Sequence, residues 1–145
     1  MAELVSFGTA VDEKEHIELP LAGEKIEAGF PAPNGGYIDG SLDVNQFLIS
    51  HPNSTFIYCV NGRSMVEAGI MPGDYVLVDT SLPAQDGSIV VACIDNEYTI
   101  KELHLKPKPY LLARNREYGP LQIDECSEVK IVGPVTGVVR RYRAS

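Results

Sequence analysis

Between Ser54 and Val139 the chain sets out short runs of β-branched, aromatic and aliphatic residues, each fenced by glycine, proline or a polar turn. These are Ser54 to Val60, Tyr75 to Val78, Ile89 to Ile94, Tyr98 to Leu103, Tyr110 to Ala113, Val129 to Val132 and Val135 to Val139. Runs this short suit strands and are below the length of an ordinary helix. Asp95-Asn96-Glu97 predicts a tight turn that folds the third run back on the fourth as a hairpin. One brief helix is predicted from Asp43 to about Ser50, capped by Ser41 or Asp43, with Val44, Phe47 and Leu48 on one face and Pro52 just beyond its end. Strands at short intervals with one short helix predict a compact, mainly β domain, a closed or half-closed barrel.

The 145 residues, 44% of them apolar, suffice for one such core without metal or disulfide staples. Cys59, Cys93 and Cys126 lie far apart and form no C-x-x-C pair, so a reducing, cytoplasmic compartment is expected. A positive n-region with an apolar h-region is lacking at the start, and no run approaches the roughly 18 apolar residues of a membrane span. A formal charge of −8 argues against a protein whose main task is gripping a phosphate backbone. Any role on DNA is therefore expected to run through protein partners.

The first residues differ from the rest. Up to Glu27 the acidic Glu3, Asp12, Glu13, Glu15, Glu18, Glu24 and Glu27 face only Lys14 and Lys25, a net of −5. Apolar positions there are scattered, with Ile17, Leu19 and Leu21 giving at most one short strand interrupted by Pro20. Residues 1–28 thus read as an acidic extended arm, 29–42 as a flexible Pro/Gly linker and 43–145 as the β domain.

Chemistry concentrates on Ser64, in Asn61-Gly62-Arg63-Ser64-Met65 between two strand-like runs. Ser64-x-x-Glu67 fits a capping box, which would make the serine structural. The first turn of a helix also leaves backbone N–H groups aimed outward, which suits a nucleophile. A nucleophile elbow is not spelled, because the second glycine of G-x-S-x-G is missing. Ser127-Glu128-Val129-Lys130 spells S-x-x-K without its usual partners and reads as a chance match. His16, His51 and His104 are dispersed and read as surface residues, so neither a histidine triad nor a metal site is indicated.

Lys101 is the other candidate, placed by alternation on the face of Thr99 and Leu103. As a solvated strand lysine it would do nothing. As a base it must be neutral, whereas a free lysine amine titrates near about 10.4. Burial disfavours an ammonium and would allow it to take a proton from a hydroxyl, as in Ser-Lys dyads.

Gly62-Arg63-Ser64-Met65, Gly69-Ile70-Met71-Pro72-Gly73-Asp74-Tyr75-Val76-Leu77-Val78-Asp79, Asp86-Gly87-Ser88-Ile89-Val90-Val91-Ala92 and Glu97-Tyr98-Thr99-Ile100-Lys101 resemble the LexA-type self-cleaving peptidases. Phe30-Pro31-Ala32-Pro33, Asn45-Gln46-Phe47-Leu48 and His51-Pro52-Asn53-Ser54-Thr55 resemble the UmuD/MucA family among them, and the likeness runs from about Ala28 to Val139. It implies a LexA/UmuD-like, signal-peptidase-like β-barrel domain with short helical turns and an extended N-terminal arm. It also implies Ser64 as nucleophile, Lys101 as general base and Ala28-Gly29 as the bond cut; backbone N–H groups around Arg63 and Ser64 are then expected to hold the oxyanion. Ala28 lies 36 positions before Ser64 and Lys101 lies 37 after it, in keeping with the layout of that family. Two departures stand out: Ala28 replaces the cysteine of UmuD but matches LexA, and Arg63 replaces an acidic or small residue.

No cofactor is implied. The implied role is a DNA-damage (SOS) response factor that cuts itself when stimulated by the RecA filament on single-stranded DNA. The shortened homodimer would serve a UmuC-like translesion polymerase, with the replicative sliding clamp as a further partner. Two alternatives are a LexA-like or phage-type repressor fragment, for which the 27 residues before Ala28 are too few to supply a helix-turn-helix module, and a non-enzymatic β-barrel interaction module.

Overall fold

A computed structural model of the chain describes residues 4–9, 16–23, 28, 38–126 and 128–143. Its strands are β1 (Leu4–Thr9), β2 (Glu18–Ala22), β3 (Ile38–Asp43), β4 (Thr55–Val60), β5 (Tyr75–Asp79), β6 (Ile89–Ile94), β7 (Glu97–His104), β8 (Tyr110–Leu112), β9 (Leu121–Gln122) and β10 (Val129–Val139). The fold is mainly β, as expected, and every pairing is antiparallel. Eight strands form one sheet in the order β1-β4-β5-β10-β6-β7-β8-β9, and β2 pairs with β3 as a separate ribbon.

The two halves of the long sheet fold toward each other over a shared core. Leu4, Tyr58, Val60, Val76 and Val78 from β1, β4 and β5 pack with Val91 and Ile100 from β6 and β7, and Met65 and Ile70 complete this cluster. A second cluster lies behind β6 and β7, where Val90, Ala92, Leu103 and Leu111 are buried with Ile131 packed against them. Strand β7 is therefore covered on both faces at different points. Ile100 faces the first cluster and Leu103 the second, so its burial does not simply alternate. Among the described residues the outer strands β1 and β9 do not pair, and the barrel is half-closed rather than closed.

Two expected strands at Val129 to Val132 and Val135 to Val139 are one. β10 runs through Gly133-Pro134, pairing with β6 along its first part and with β5 along its second. The register shifts between Ile131 and Gly133 and again between Val135 and Gly137, and bulges of this kind admit a proline and bend the strand. Gly133 has a steric reason as well, because a Cβ there would stand 2.8 Å from the carbonyl oxygen of Asp79. A break was expected where the sequence in fact permits a fold in the sheet.

The arm was expected to carry at most one strand and carries two. β1 extends the main sheet along β4, and β2 keeps Pro20 opposite Ser41 of β3. The expected linker is strand from Ile38 onward, while residues 29–37 lie outside the described residues. Of the two caps foreseen for the helix, Asp43 serves: its side chain accepts from the Gln46 N–H at 3.2 Å. The helix, α1 (Val44–Leu48), stops short of Ser50 because Ile49 is already extended. The β6–β7 turn places Asp95 and Asn96 at φ of 49° and 70°, both central residues in the left-handed region as in a type I′ hairpin.

Candidate functional site

Ser64 is carried by the loop between β4 and β5, and that loop is closed at its base. Val60 N–H donates to Asp74 O at 2.7 Å and Gly73 N–H to Val60 O at 2.8 Å. The buried Asp74 carboxylate accepts from Met71 N–H at 2.8 Å and takes both arms of the Arg140 guanidinium at 2.6 and 2.7 Å. Arg140 also donates to Gly69 O at 2.8 Å, so the end of β10 straps the loop. The guanidinium bonded to Asp74 outweighs the cost of burial and holds this carboxyl below the usual carboxylate range. Gly69 ends a single 3₁₀ turn, Val66–Ala68, at φ 84°. A Cβ there would meet nothing within 4 Å, so it is the left-handed backbone and not space that calls for glycine.

Ser64 is 3% exposed. Its hydroxyl lies against β7, where Lys101 Nζ donates to Ser64 Oγ at 3.1 Å and Ser64 Oγ reaches Ile100 O at 3.4 Å. The same amine contacts Thr99 Oγ1 at 2.9 Å and Ile100 O at 3.3 Å. Thr99 and Lys101 lie two apart on β7 and so share a face of the sheet, opposite Ala92 and Val90 of β6. Lys101 is half-buried, and its amine reaches the serine loop.

The capping-box reading of Ser64-x-x-Glu67 is not realised. Met65 occupies the cap position of the 3₁₀ turn with no side-chain cap bond. Ser64 Oγ is engaged with β7, and Glu67 Oε2 instead accepts from Arg116 N–H at 3.1 Å and Arg116 Nε at 3.3 Å. Competing partners brought by tertiary structure explain the outcome.

The segment after β8 grips the serine loop from the other side. Glu67 N–H donates to Arg114 O at 2.8 Å, Arg114 N–H approaches Met65 Sδ at 3.4 Å, and Asn115 Nδ2 donates to Arg63 O at 2.8 Å. Arg114 is itself fixed by a two-pronged pair with Glu102, whose other neighbour is His104 Nε2 at 2.6 Å. The guanidinium, with a smaller contribution from His104, holds the Glu102 carboxyl low against the opposing effect of burial.

His16 and His51 are exposed, as expected, and His104 is half-buried, and each bonds a carboxylate. His16 meets Asp43 at 3.1 Å and His51 meets Asp79 at 2.6 Å across long sequence separations, and His104 meets Glu102 on its own strand. Separation in sequence hid the first two. Asp79 is buried, which raises its pKa, yet hydrogen bonds from Ser81 and His51 prevail and leave it lowered.

Of the expected site residues, Ser64 and Lys101 come together and the Arg63–Ser64 peptide lies in the same loop. Ala28 is an exposed turn residue, and Gly29 lies outside the described residues, as does Ser127. Sequence reasoning missed Thr99 as a partner of Nζ, although its place two residues before Lys101 was a usable signal. It also missed Asn115, for which no local signal exists.

Comparison with known proteins shows the family of the chain. The family model described as Peptidase S24-like matches residues 20–136. Protein MucA of Salmonella typhimurium is 43% identical over 119 residues, covering 81% of this chain and 82% of its own. Protein SamA of Salmonella typhimurium is 38% identical over 92% of this chain and 94% of its own length. The LexA repressor of Clostridium acetobutylicum is 35% identical over 91% of this chain but only 63% of the repressor. The chain belongs to the S24-type peptidase family, in its UmuD/MucA branch.

Proposed function

We propose that the chain is a self-cleaving serine peptidase that cuts Ala28-Gly29 with Ser64 as nucleophile and Lys101 as general base. The observation that carries this reading is the 3.1 Å contact between Lys101 Nζ and the buried Ser64 Oγ within an S24-type chain. A neutral amine has two N–H bonds and one lone pair. Thr99 Oγ1 and Ile100 O can take the two N–H bonds, which turns the lone pair toward the serine hydroxyl. Lys101 then accepts the Ser64 proton as Oγ bonds to the Ala28 carbonyl carbon. The resulting oxyanion is held by the N–H groups of Arg63 and Ser64. Its collapse breaks the bond to the Gly29 nitrogen, which takes the proton from Lys101 and leaves as an amine. Water, deprotonated by Lys101, finally attacks the Ser64 ester, and Lys101 returns that proton to Ser64 Oγ as the Ala28 carboxylate leaves. Substrate and catalyst share one chain, so a high effective concentration offsets a modest catalyst.

The biological reading is an SOS-response factor whose cut form, a homodimer, is an accessory subunit of a UmuC-like translesion polymerase. Resemblance to the UmuD/MucA branch supports it, and the exposed apolar Val44 and Phe47 of α1, which remain after the cut, suit a protein-protein contact. The purified chain, mixed at neutral pH with RecA, single-stranded DNA and a nucleotide that keeps the filament assembled, should yield two fragments. Ser64→Ala should yield none. An intact wild-type chain under conditions where the filament cleaves a LexA control would contradict the proposal.

A further inference from the structure

We infer that Asn115 positions the oxyanion donor of Ser64, by holding the Arg63–Ser64 peptide in one orientation. The inference rests on the Ser64–Lys101 reading and adds a residue to it. Asn115 is 7% exposed, and both ends of its amide are used. Nδ2 donates to Arg63 O at 2.8 Å and Oδ1 accepts from Glu117 N–H at 3.0 Å. The opposite amide orientation would set NH2 against the Glu117 N–H and oxygen against the Arg63 carbonyl, two repulsive pairs in place of two bonds. The amide therefore has one stable setting.

Arg63 C=O and Ser64 N–H belong to one peptide plane, and in a trans peptide they point in opposite directions. Drawing Arg63 O toward Asn115 turns the Ser64 N–H to the other side, away from the brace. Val66 N–H supports the same setting through a 3.3 Å bond to Arg63 O. Neighbouring bonds from Glu67 N–H to Arg114 O and from Arg114 N–H to Met65 Sδ keep the two loops from sliding past each other. An oxyanion donor is effective when it is oriented before charge develops, and a peptide free to rotate would offer a carbonyl oxygen in its place. Asn115 contacts neither Ser64 Oγ nor Lys101 Nζ among the described bonds, so it is a positioning residue.

Asn115→Asp preserves shape and the acceptor for Glu117 while replacing the donor, and Asn115→Leu removes both without adding charge. The first-order self-cleavage rate is measured against pH in each, with thermal unfolding as a check on the fold. The expected result is a fall of tenfold or more in the plateau rate of both variants, with the pH midpoint of Asn115→Leu unmoved because the base is untouched. A plateau within twofold of wild type in a folded variant, or a shifted midpoint with an unchanged plateau, overturns the inference. A measurement on the wild-type chain covers the case in which neither variant folds. After labelling of Ser64 with a fluorophosphonate, the Ser64 amide proton should move downfield and exchange more slowly as it bonds the phosphonyl oxygen. An unchanged Ser64 amide in the labelled protein overturns the positioning role. A wild-type chain that neither labels nor cleaves overturns the dyad itself.

Discussion

At the scale of single residues, the site depends on what surrounds a lysine amine. Thr99 Oγ1, 2.9 Å from Lys101 Nζ, helps to aim it. Thr99→Val keeps the β-branched shape and removes that acceptor. Loss of one hydrogen bond of about 0.5–1.5 kcal/mol should slow self-cleavage by roughly twofold to tenfold without unfolding the domain. Time courses of fragment appearance at fixed pH would show it, and an unchanged rate would mean that Thr99 does not orient the amine. Gly133 is a different kind of residue, indispensable for space. Gly133→Ala sets a methyl 2.8 Å from the backbone oxygen of Asp79, which cannot swing aside as a side chain would, and should destabilise the fold by about 1–3 kcal/mol in denaturant titrations.

At the scale of elements, the runs bounded by turn residues were readable because local chemistry dictates them. Ile89–Ile94 and Tyr75–Asp79 appear almost as read, and Asp95-Asn96 adopts the hairpin turn that its residues favour. The misreadings share one cause. Continuity of β10 across Gly133-Pro134 depends on β5 and β6 holding either side of it, and strand β1 exists because β4 offers an edge. Asn115 escaped notice for the same reason, its bond to Arg63 spanning 52 positions. That Ser64 and Lys101 meet was legible only through motif resemblance, since alternation put Lys101 on a face without saying what lay across from it. The strap from β10 to the serine loop has a pH signature. Asp74 has a folded pKa below its ordinary value, so its pairing stabilises the fold above that ordinary value, about 4, and is lost as pH falls through the lowered one. The melting temperature should therefore drop between pH 5 and 3, to the order of a carboxylate titration. In Asp74→Asn the drop should shrink, and an equal drop would assign the acid sensitivity to other groups.

At the scale of the whole molecule, the proposed cut changes both charge and sheet. Removing residues 1–28 takes away a net of −5, leaving 13 acidic and 10 basic residues and a charge of −3. It also removes β1 from β4 and β2 from β3, which bares strand edges and offers new partners a template. Once the released arm is separated, amides of Thr55–Val60 that face β1 should exchange with solvent faster than in the uncut chain. Equal protection would mean that β1 is not part of the sheet in solution, or that another strand has replaced it. The most direct test of the central claim is intact-mass spectrometry of the purified chain after incubation near pH 10, where even an ordinary lysine is partly neutral. The account predicts two fragments that meet at Ala28-Gly29 in the wild type, and none from Ser64→Ala or Lys101→Ala. An uncut wild-type chain, or the same fragments from Ser64→Ala, would contradict it.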